Sequence, residues 1–179
     1  MRTIHSLRPS RQCTLVEVDL EFAGHWRKVR SRTVRLLELV PPDNVEWSPA
    51  AGVMTIGDVF RHLAVTERWL FVEVARGGVS TYRTHGPQLG RTREEIAILL
   101  RQCHDESLRI IANFTPADWQ RHVTTPAGAS LPAWKWLRAM VEHEAHHRGQ
   151  LYLMLRLAGI PTPPIFGLTA EDVMSRSSR

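Results

Sequence analysis

The feature that most constrains this chain is the spacing of its apolar residues, which recur every three or four positions in four separate segments. Such spacing places apolar side chains along one face of an α-helix. The segments cover residues 18–40, 56–75, 93–114 and 133–158. Between them, no alternation of polar and apolar residues is long enough to predict a β-strand. The sequence therefore predicts an all-α protein whose four amphipathic helices form a four-helix bundle.

Residues that stop or start helices separate these segments. Pro41 and Pro42 end the first helix, because a proline ring blocks the helical conformation of the preceding residue and offers no amide hydrogen. The glycines and proline within residues 79–91 predict a long irregular connection between the second and third helices. A second linker is predicted over residues 117–132. Capping boxes are expected at the start of the second and third helices, formed by Thr55 with Asp58 and by Thr92 with Glu95.

Length and composition favour one globular domain over residues 1–179, with a core at about residues 16–160, a leader at 1–15 and a tail at 161–179. The apolar fraction of 43% and the charged fraction of 23% are typical of soluble globular proteins. No stretch approaches the roughly 20 continuous apolar residues of a membrane span, and the N-terminus lacks the apolar run of a secretory signal. We therefore expect a cytoplasmic protein that does not engage a membrane.

The net charge of +5 comes almost entirely from arginine and would by itself admit a nucleic-acid partner. The densest basic cluster is predicted on the solvent side of the first helix and contains Arg27, Lys28, Arg30, Arg32 and Arg35. A solvated helix face is the simpler interpretation, since no helix-turn-helix, zinc-finger or aromatic RNA-binding motif accompanies the charge. Nucleic-acid binding is therefore the minor hypothesis.

The two cysteines are too few for a disulfide framework, and no second cysteine lies near either one to form a CxxC pair. Cys103 lies on the apolar stripe of the third helix, which indicates a packing role. Cys13 lies in the predicted leader. Both are expected to be free thiols.

The fourth helix carries two histidines on its apolar face, where leucines are expected. Side chains four positions apart lie one above the other, so the rings of His143 and His147 can present nitrogens to a common point. A divalent metal ion is the simplest occupant of that point, although buried histidines are also found as hydrogen-bonded core residues. His62 lies at the edge of the second helix's apolar stripe, and histidines from facing helices are a recurrent way to build a metal site in a bundle.

Other polar and aromatic residues have two interpretations. Glu142 and Glu144 could orient a ligand imidazole or act as a base, but glutamates on a long helix are usually solvated or paired. The loops around Trp47, His85 and Trp119 are the predicted source of pocket specificity.

Two motifs together resemble the DinB/YfiT-like metalloenzyme superfamily. The first is the segment around His62, Thr-Ile-Gly-Asp-Val-Phe-Arg-His-Leu, and the second is His143-Glu-Ala-His-His147-Arg-Gly-Gln. The resemblance implies a DinB-like four-helix bundle with the long connection between helices 2 and 3. It also implies a divalent metal ion, zinc or nickel, held by His62, His143 and His147. The position of His146 is not a ligand in that family.

Characterised members of the family include thiol-dependent S-transferases and a mycothiol-dependent isomerase, and members often form homodimers. The resemblance therefore implies a low-molecular-weight thiol and an electrophilic small molecule as partners, and a homodimer. Three imidazoles leave a coordination position open for water or a thiol, as in catalytic sites. Our hypothesis is a metal-dependent thiol S-transferase or hydrolase. The alternative is a non-catalytic metal-binding or stress-related dimeric bundle protein.

Overall fold

The computed structural model describes residues 15–177 and gives side chains from Glu21 onward. Helix α1 begins at Leu15, the last residue of the predicted leader. The rest of that leader, including Cys13, lies outside the described residues.

Four long helices form the bundle, as the apolar spacing predicts. α1 (Leu15–Leu37) packs against both α4 (Arg93–Ile111) and α6 (Ala133–Leu157), and these two also flank the second long helix. That second helix is built from three consecutive pieces: α2 (Ile56–Thr66), a π-helical turn (Glu67–Val72) and α3 (Glu73–Ala75). Within residues 15–177, no helix combines the length and apolar character needed to cross a bilayer.

The predicted capping boxes are both present and begin their helices. The Thr55 hydroxyl accepts the amide hydrogen of Asp58 at 3.0 Å, and the Thr55 amide donates back to the Asp58 carboxylate at 3.1 Å. Thr92 and Glu95 make the same exchange at the start of α4. The prediction was less accurate at the end of α1, which stops at Leu37, a few residues before the two prolines.

The linker predicted over residues 117–132 is more ordered than the sequence indicates. It contains most of a short helix, α5 (Pro116–Gln120), and an antiparallel hairpin of β1 (His122–Thr124) with β2 (Ser130–Pro132). The prediction of no strand was wrong here, because three residues per strand are too few to show an alternating pattern. The remaining short elements are 3₁₀ turns at Pro42–Asn44 and Pro87–Leu89, and α7 (Ala170–Ser177) in the tail.

The core consists of two apolar clusters, one toward each end of the bundle. The first contains residues near the C-terminus of α1 and the start of α4, with Leu36, Phe60, Leu100 and Leu151 at most 1% exposed. The second contains Trp26, Phe71, Ile111, Trp119 and Leu137. Each of the four long helices contributes to both clusters. On each of these helices, the inward residues between the two clusters include buried polar or charged side chains.

We call this set of residues the polar layer: Arg30, Thr33, Glu67, His104 and Glu144. The Arg30 guanidinium pairs with the Glu67 carboxylate and lies 3.3 Å from an oxygen of Glu144. The Thr33 hydroxyl donates to Glu144 at 2.6 Å, and His104 Nδ1 lies 3.3 Å from Glu67. These contacts connect all four long helices at the middle of the bundle.

The polar layer corrects the expectation for Arg30 and distinguishes Glu144 from Glu142. Arg30 is not on the solvent side of α1, since it is only 5% exposed and shares the inward face with Trp26 and Thr33. Burial lowers the pKa of Arg30, but attraction to Glu144 and Glu67 outweighs burial and leaves that pKa raised. Glu144 is 1% exposed, so it is buried and paired rather than solvated, whereas Glu142 is exposed.

The π-helical turn begins at Glu67, in the polar layer, and leads to Phe71, in the second apolar cluster. A π-helical turn holds more residues than an α-helical turn, so it rotates the residues after it relative to α2. This rotation lets one continuous helix present His62, Glu67 and Phe71 to the interior in succession.

Removing Glu144 tests the polar layer. Glu144→Ala should lower the free energy of unfolding by about 3 kcal/mol or more, because Arg30 then stays buried with one carboxylate instead of two. Urea unfolding followed by circular dichroism measures the change. The matched control is Glu142→Ala, on the same helix, which should change stability by less than about 0.5 kcal/mol. Equal effects of the two substitutions would contradict the role given to the layer.

Gly149, in the interior of α6, offers a test in the opposite direction. A Cβ at Gly149 would meet no atom within 4 Å. Gly149→Ala should therefore raise the free energy of unfolding by about 1 kcal/mol, the difference in helix propensity. Gly57→Ala is the control: its Cβ would lie 2.9 Å from the Val45 carbonyl oxygen, so it should destabilise. A thermal midpoint that is unchanged or lowered in Gly149→Ala would contradict the expected gain in helix stability.

Candidate metal centre

Three histidines from two helices meet beside the polar layer. His62 is on α2, and His143 and His147 are one turn apart on α6. His143 Nε2 lies 3.1 Å from His62 Nε2 and 3.1 Å from His147 Nε2. One nitrogen from each ring lies within 4.8 Å of the other two, and together they could hold a metal ion. The three residues predicted from the sequence are therefore neighbours in space.

All three rings are half-buried, and their pKa values are lowered. Burial is the largest cause, and it lowers the pKa of His62 to about 3 and that of His143 to about 4, helped by repulsion from neighbouring imidazoles. Burial also lowers the pKa of His147. The rings are therefore neutral at pH 7, the protonation state in which imidazole binds metal.

The outward nitrogen of His147 shows which tautomer that ring adopts. His147 Nδ1 lies 2.7 Å from the Gln150 amide oxygen, which can only accept, so Nδ1 carries the proton. His147 Nε2 consequently carries a lone pair, which faces His143 Nε2. The Gln150 amide nitrogen is oriented in turn by His146 Nε2 at 3.0 Å. His146 is exposed and lies outside the cluster, as the family resemblance implies.

An aromatic wall lies against His143. The Phe71 ring is 5.4 Å from the His143 ring and 4.5 Å from the Trp136 ring, measured between centroids. The Trp136 indole N–H donates to the Phe71 carbonyl oxygen at 3.0 Å and fixes the pair. Their apolar surface contributes to the burial that keeps His143 neutral. Sequence reasoning missed Phe71, because the π-helical turn that places it has no sequence signature of its own.

Only one of the three loop residues expected to shape the pocket contacts the histidines. His85 lies with its ring 5.8 Å from that of His62. Trp119 is instead buried in the second apolar cluster, and Trp47 packs against the first. Tyr82, in the same connection as His85, also reaches His62 and was not anticipated.

Several solved structures share the fold of this chain. A DinB-like protein from Bacillus cereus ATCC 10987 superposes with a TM-score of 0.68 at 21% identity, covering 80% of this chain and 94% of that one. YfiT from Bacillus subtilis, described as a probable metal-dependent hydrolase with an unusual four-helix bundle topology, gives 0.64 at 14% identity, covering 88% and 97%. A mycothiol-dependent maleylpyruvate isomerase gives 0.50 at 21% identity, covering 74% and 60%.

Sequence comparison finds a relative with a higher identity than these solved structures have. The uncharacterized protein YrdA of Bacillus subtilis is 36% identical over 159 residues, covering 84% of this chain and 89% of YrdA. The sequence model of the DinB superfamily matches residues 25–151, a stretch that includes all three clustered histidines. The bundle, the paired histidine motifs and this match agree with one another, and the chain belongs to the DinB superfamily.

Proposed function

We propose that this protein is a divalent-metal-dependent enzyme in which His62, His143 and His147 hold the ion. The convergence of three neutral ring nitrogens is the observation that carries the proposal. Ligand nitrogens of a tetrahedral zinc ion lie about 3.4 Å apart, and the two shortest separations here are both 3.1 Å. A metal ion would also resolve an electrostatic problem in the cluster.

That problem comes from the lone pairs. His147 Nε2 carries a lone pair, and it faces His143 Nε2, which in turn faces His62 Nε2. His143 Nε2 has at most one proton when neutral, and it can donate that proton to only one of its two neighbours. A cation at the common point would interact favourably with all three nitrogens. Zinc and nickel both suit three imidazoles, so the donor set favours neither.

Three protein ligands leave a coordination position for a reactant. A bound divalent ion would lower the pKa of a water or thiol placed there, which generates a nucleophile at neutral pH. The protein's own groups would keep the imidazoles neutral by burial, orient His147 through Gln150 and exclude water on the Phe71 side of His143. The substrate class that suits such a site is an electrophilic small molecule that carries a leaving group.

Among the described residues only Cys103 carries a thiol, and we propose that a reacting thiol would come from a second substrate. Cys103 is buried, and burial raises the pKa of its thiol to about 12, so it is no nucleophile at neutral pH. The fold shared with a mycothiol-dependent isomerase supports a low-molecular-weight thiol, and the fold shared with YfiT supports hydrolysis. We therefore propose thiol S-transfer or hydrolysis as the reaction. A homodimer and a cytoplasmic location stay predictions from the sequence.

Metal content tests the ligand set. Protein prepared without an affinity tag should carry about one zinc or nickel ion per chain, and His62→Ala and His143→Ala should each lose it. Inductively coupled plasma mass spectrometry gives the content, and circular dichroism checks that the helices persist. The matched control is His25→Ala, which removes an exposed imidazole of α1 and should keep the ion. Retention of the ion in both His62→Ala and His143→Ala would disprove the proposed site.

Turnover by the same preparations separates an enzyme from a binding protein. The wild type should convert 1-chloro-2,4-dinitrobenzene with cysteine as thiol, or hydrolyse p-nitrophenyl acetate, at a rate that disappears in His143→Ala. A metal-loaded wild type that does neither, and whose melting temperature falls steeply on chelation, would instead support the alternative of a non-catalytic metal-binding bundle.

The lowered pKa values predict how metal binding responds to pH. At pH 6.0, imidazoles with the usual pKa of 6.5 would release about two protons when three of them bind a metal ion. His62 and His143, with pKa values of about 3 and 4, are already neutral at that pH. His147, whose pKa is also lowered, carries less than about 0.8 proton at pH 6.0, so zinc binding should release less than about one proton, as measured by titration calorimetry in buffers of different ionisation enthalpy.

The lowered pKa values also determine how the stability of the metal-free protein changes with pH. Between pH 6.5 and about 4, the unfolded chain takes up protons on these histidines and the folded chain does not, so the apoprotein should lose stability as pH falls through that window. In the calorimetric titration at pH 6.0, release of about two protons on zinc binding would contradict the lowered pKa values of the folded histidines.

A further inference from the structure

The hydroxyl of Tyr82 lies between two imidazoles at the edge of the candidate metal centre. It is 3.2 Å from Nδ1 of His62 and 2.8 Å from Nδ1 of His85. Tyr82 and His85 both belong to the long connection between α3 and α4. Tyr82 therefore contacts His62 on the ring nitrogen opposite to the one that faces His143.

The backbone around Tyr82 is fastened to the π-helical turn. Thr81, the residue before Tyr82, donates its amide hydrogen to the carbonyl oxygen of Trp69 at 2.9 Å. The Tyr82 amide is capped by the Ser80 hydroxyl at 3.4 Å. The connection thus reaches the histidines at a defined point, although most of it lacks regular structure.

The chemistry of the three groups allows one order of hydrogen bonds when His62 binds through Nε2. The ring proton of His62 is then on Nδ1 and is donated to the Tyr82 oxygen. A tyrosine hydroxyl carries one proton at neutral pH, and here that proton is donated to His85 Nδ1. His85 is left with its proton on Nε2. Each donor in this series of hydrogen bonds then faces an acceptor.

The three candidate ligands differ in how their outward nitrogens are held. His147 Nδ1 is held within α6 by Gln150. His143 Nδ1 has no hydrogen bond to any described residue, and its ring is held by packing against Phe71. His62 alone is held by a group from outside the two helices that carry the histidines.

We propose that Tyr82 is a positioning residue of the metal centre, whose hydroxyl holds His62 in the tautomer and orientation that present Nε2 to the ion, and that His85 keeps that hydroxyl aligned. This inference rests on the proposed function, since it assumes that the histidines bind a metal. Under this proposal, the long connection between α3 and α4 affects metal affinity, although it supplies none of the three ligands. Outer partners of ligating histidines typically change affinity by 10- to 100-fold.

Tyr82→Phe removes the hydroxyl and keeps the ring. We expect zinc to bind the Tyr82→Phe apoprotein about 10-fold more weakly than the wild type, measured by competition with a chromophoric chelator. The cobalt(II) form should show a shifted visible absorption spectrum, because His62 is no longer held in one orientation. His85→Ala, which removes the acceptor of the Tyr82 hydroxyl, should weaken zinc binding by a smaller factor of about threefold.

The matched control is Tyr152→Phe. Tyr152 is the only other tyrosine in the chain and lines a separate cavity with Arg32 and Phe166. Its hydroxyl makes no hydrogen bond within residues 15–177, so its loss should leave both the zinc affinity and the cobalt spectrum at their wild-type values. A weakening shared equally by Tyr82→Phe and Tyr152→Phe would overturn the proposal.

The outcomes separate the two levels of inference. If the wild type binds zinc and Tyr82→Phe binds it within twofold with an unchanged cobalt spectrum, Tyr82 has no positioning role and the proposed ligand set still stands. If Tyr82→Phe fails to fold, unchanged affinity in His85→Ala overturns the proposal and a weakened affinity supports it. If the wild type binds neither zinc nor cobalt, the proposed function and this inference fall together.

Discussion

The ion pairs that Arg30 makes with Glu67 and Glu144 hold the centre of this bundle together. They lie between two apolar clusters, with all four long helices contributing to the layer. Apolar packing alone tolerates small slips of one helix along another, whereas a buried guanidinium needs its carboxylates at hydrogen-bond distance. We infer that this layer sets the longitudinal register of the helices, and that the positions of the histidines depend on that register.

The candidate metal centre follows directly from that register. His143 and Glu144 are consecutive on α6, so one side chain faces the histidine cluster and the next faces Arg30. On the facing helix, His62 faces the histidine cluster and Glu67, five residues later, faces Arg30, one on each side of the boundary between α2 and the π-helical turn. The polar layer therefore aligns the two helices that would supply the ligands. The rings stay neutral because burial lowers their pKa values.

Much of this arrangement was predictable from the sequence, and the failures have physical reasons. Apolar spacing located the four helices, and threonine with an acidic residue three positions later located two of their starts. Arg30 was misplaced because an arginine on an amphipathic helix normally marks the solvent face, and its buried partners come from distant segments. The hairpin and the π-helical turn escaped notice because three-residue strands and one widened turn leave no periodic signal.

By itself, the sequence determined which residues can form helices, where two of those helices begin, and that His143 and His147 lie one turn apart on one face of the fourth helix. These properties depend on residues within one or two turns of each other, so local rules suffice for them. Only the tertiary structure decided that Arg30 and Glu144 are buried together, that Phe71 lies against His143, and that Tyr82 reaches His62 from the long connection. Those contacts join residues from separate segments, and their existence depends on how the helices pack.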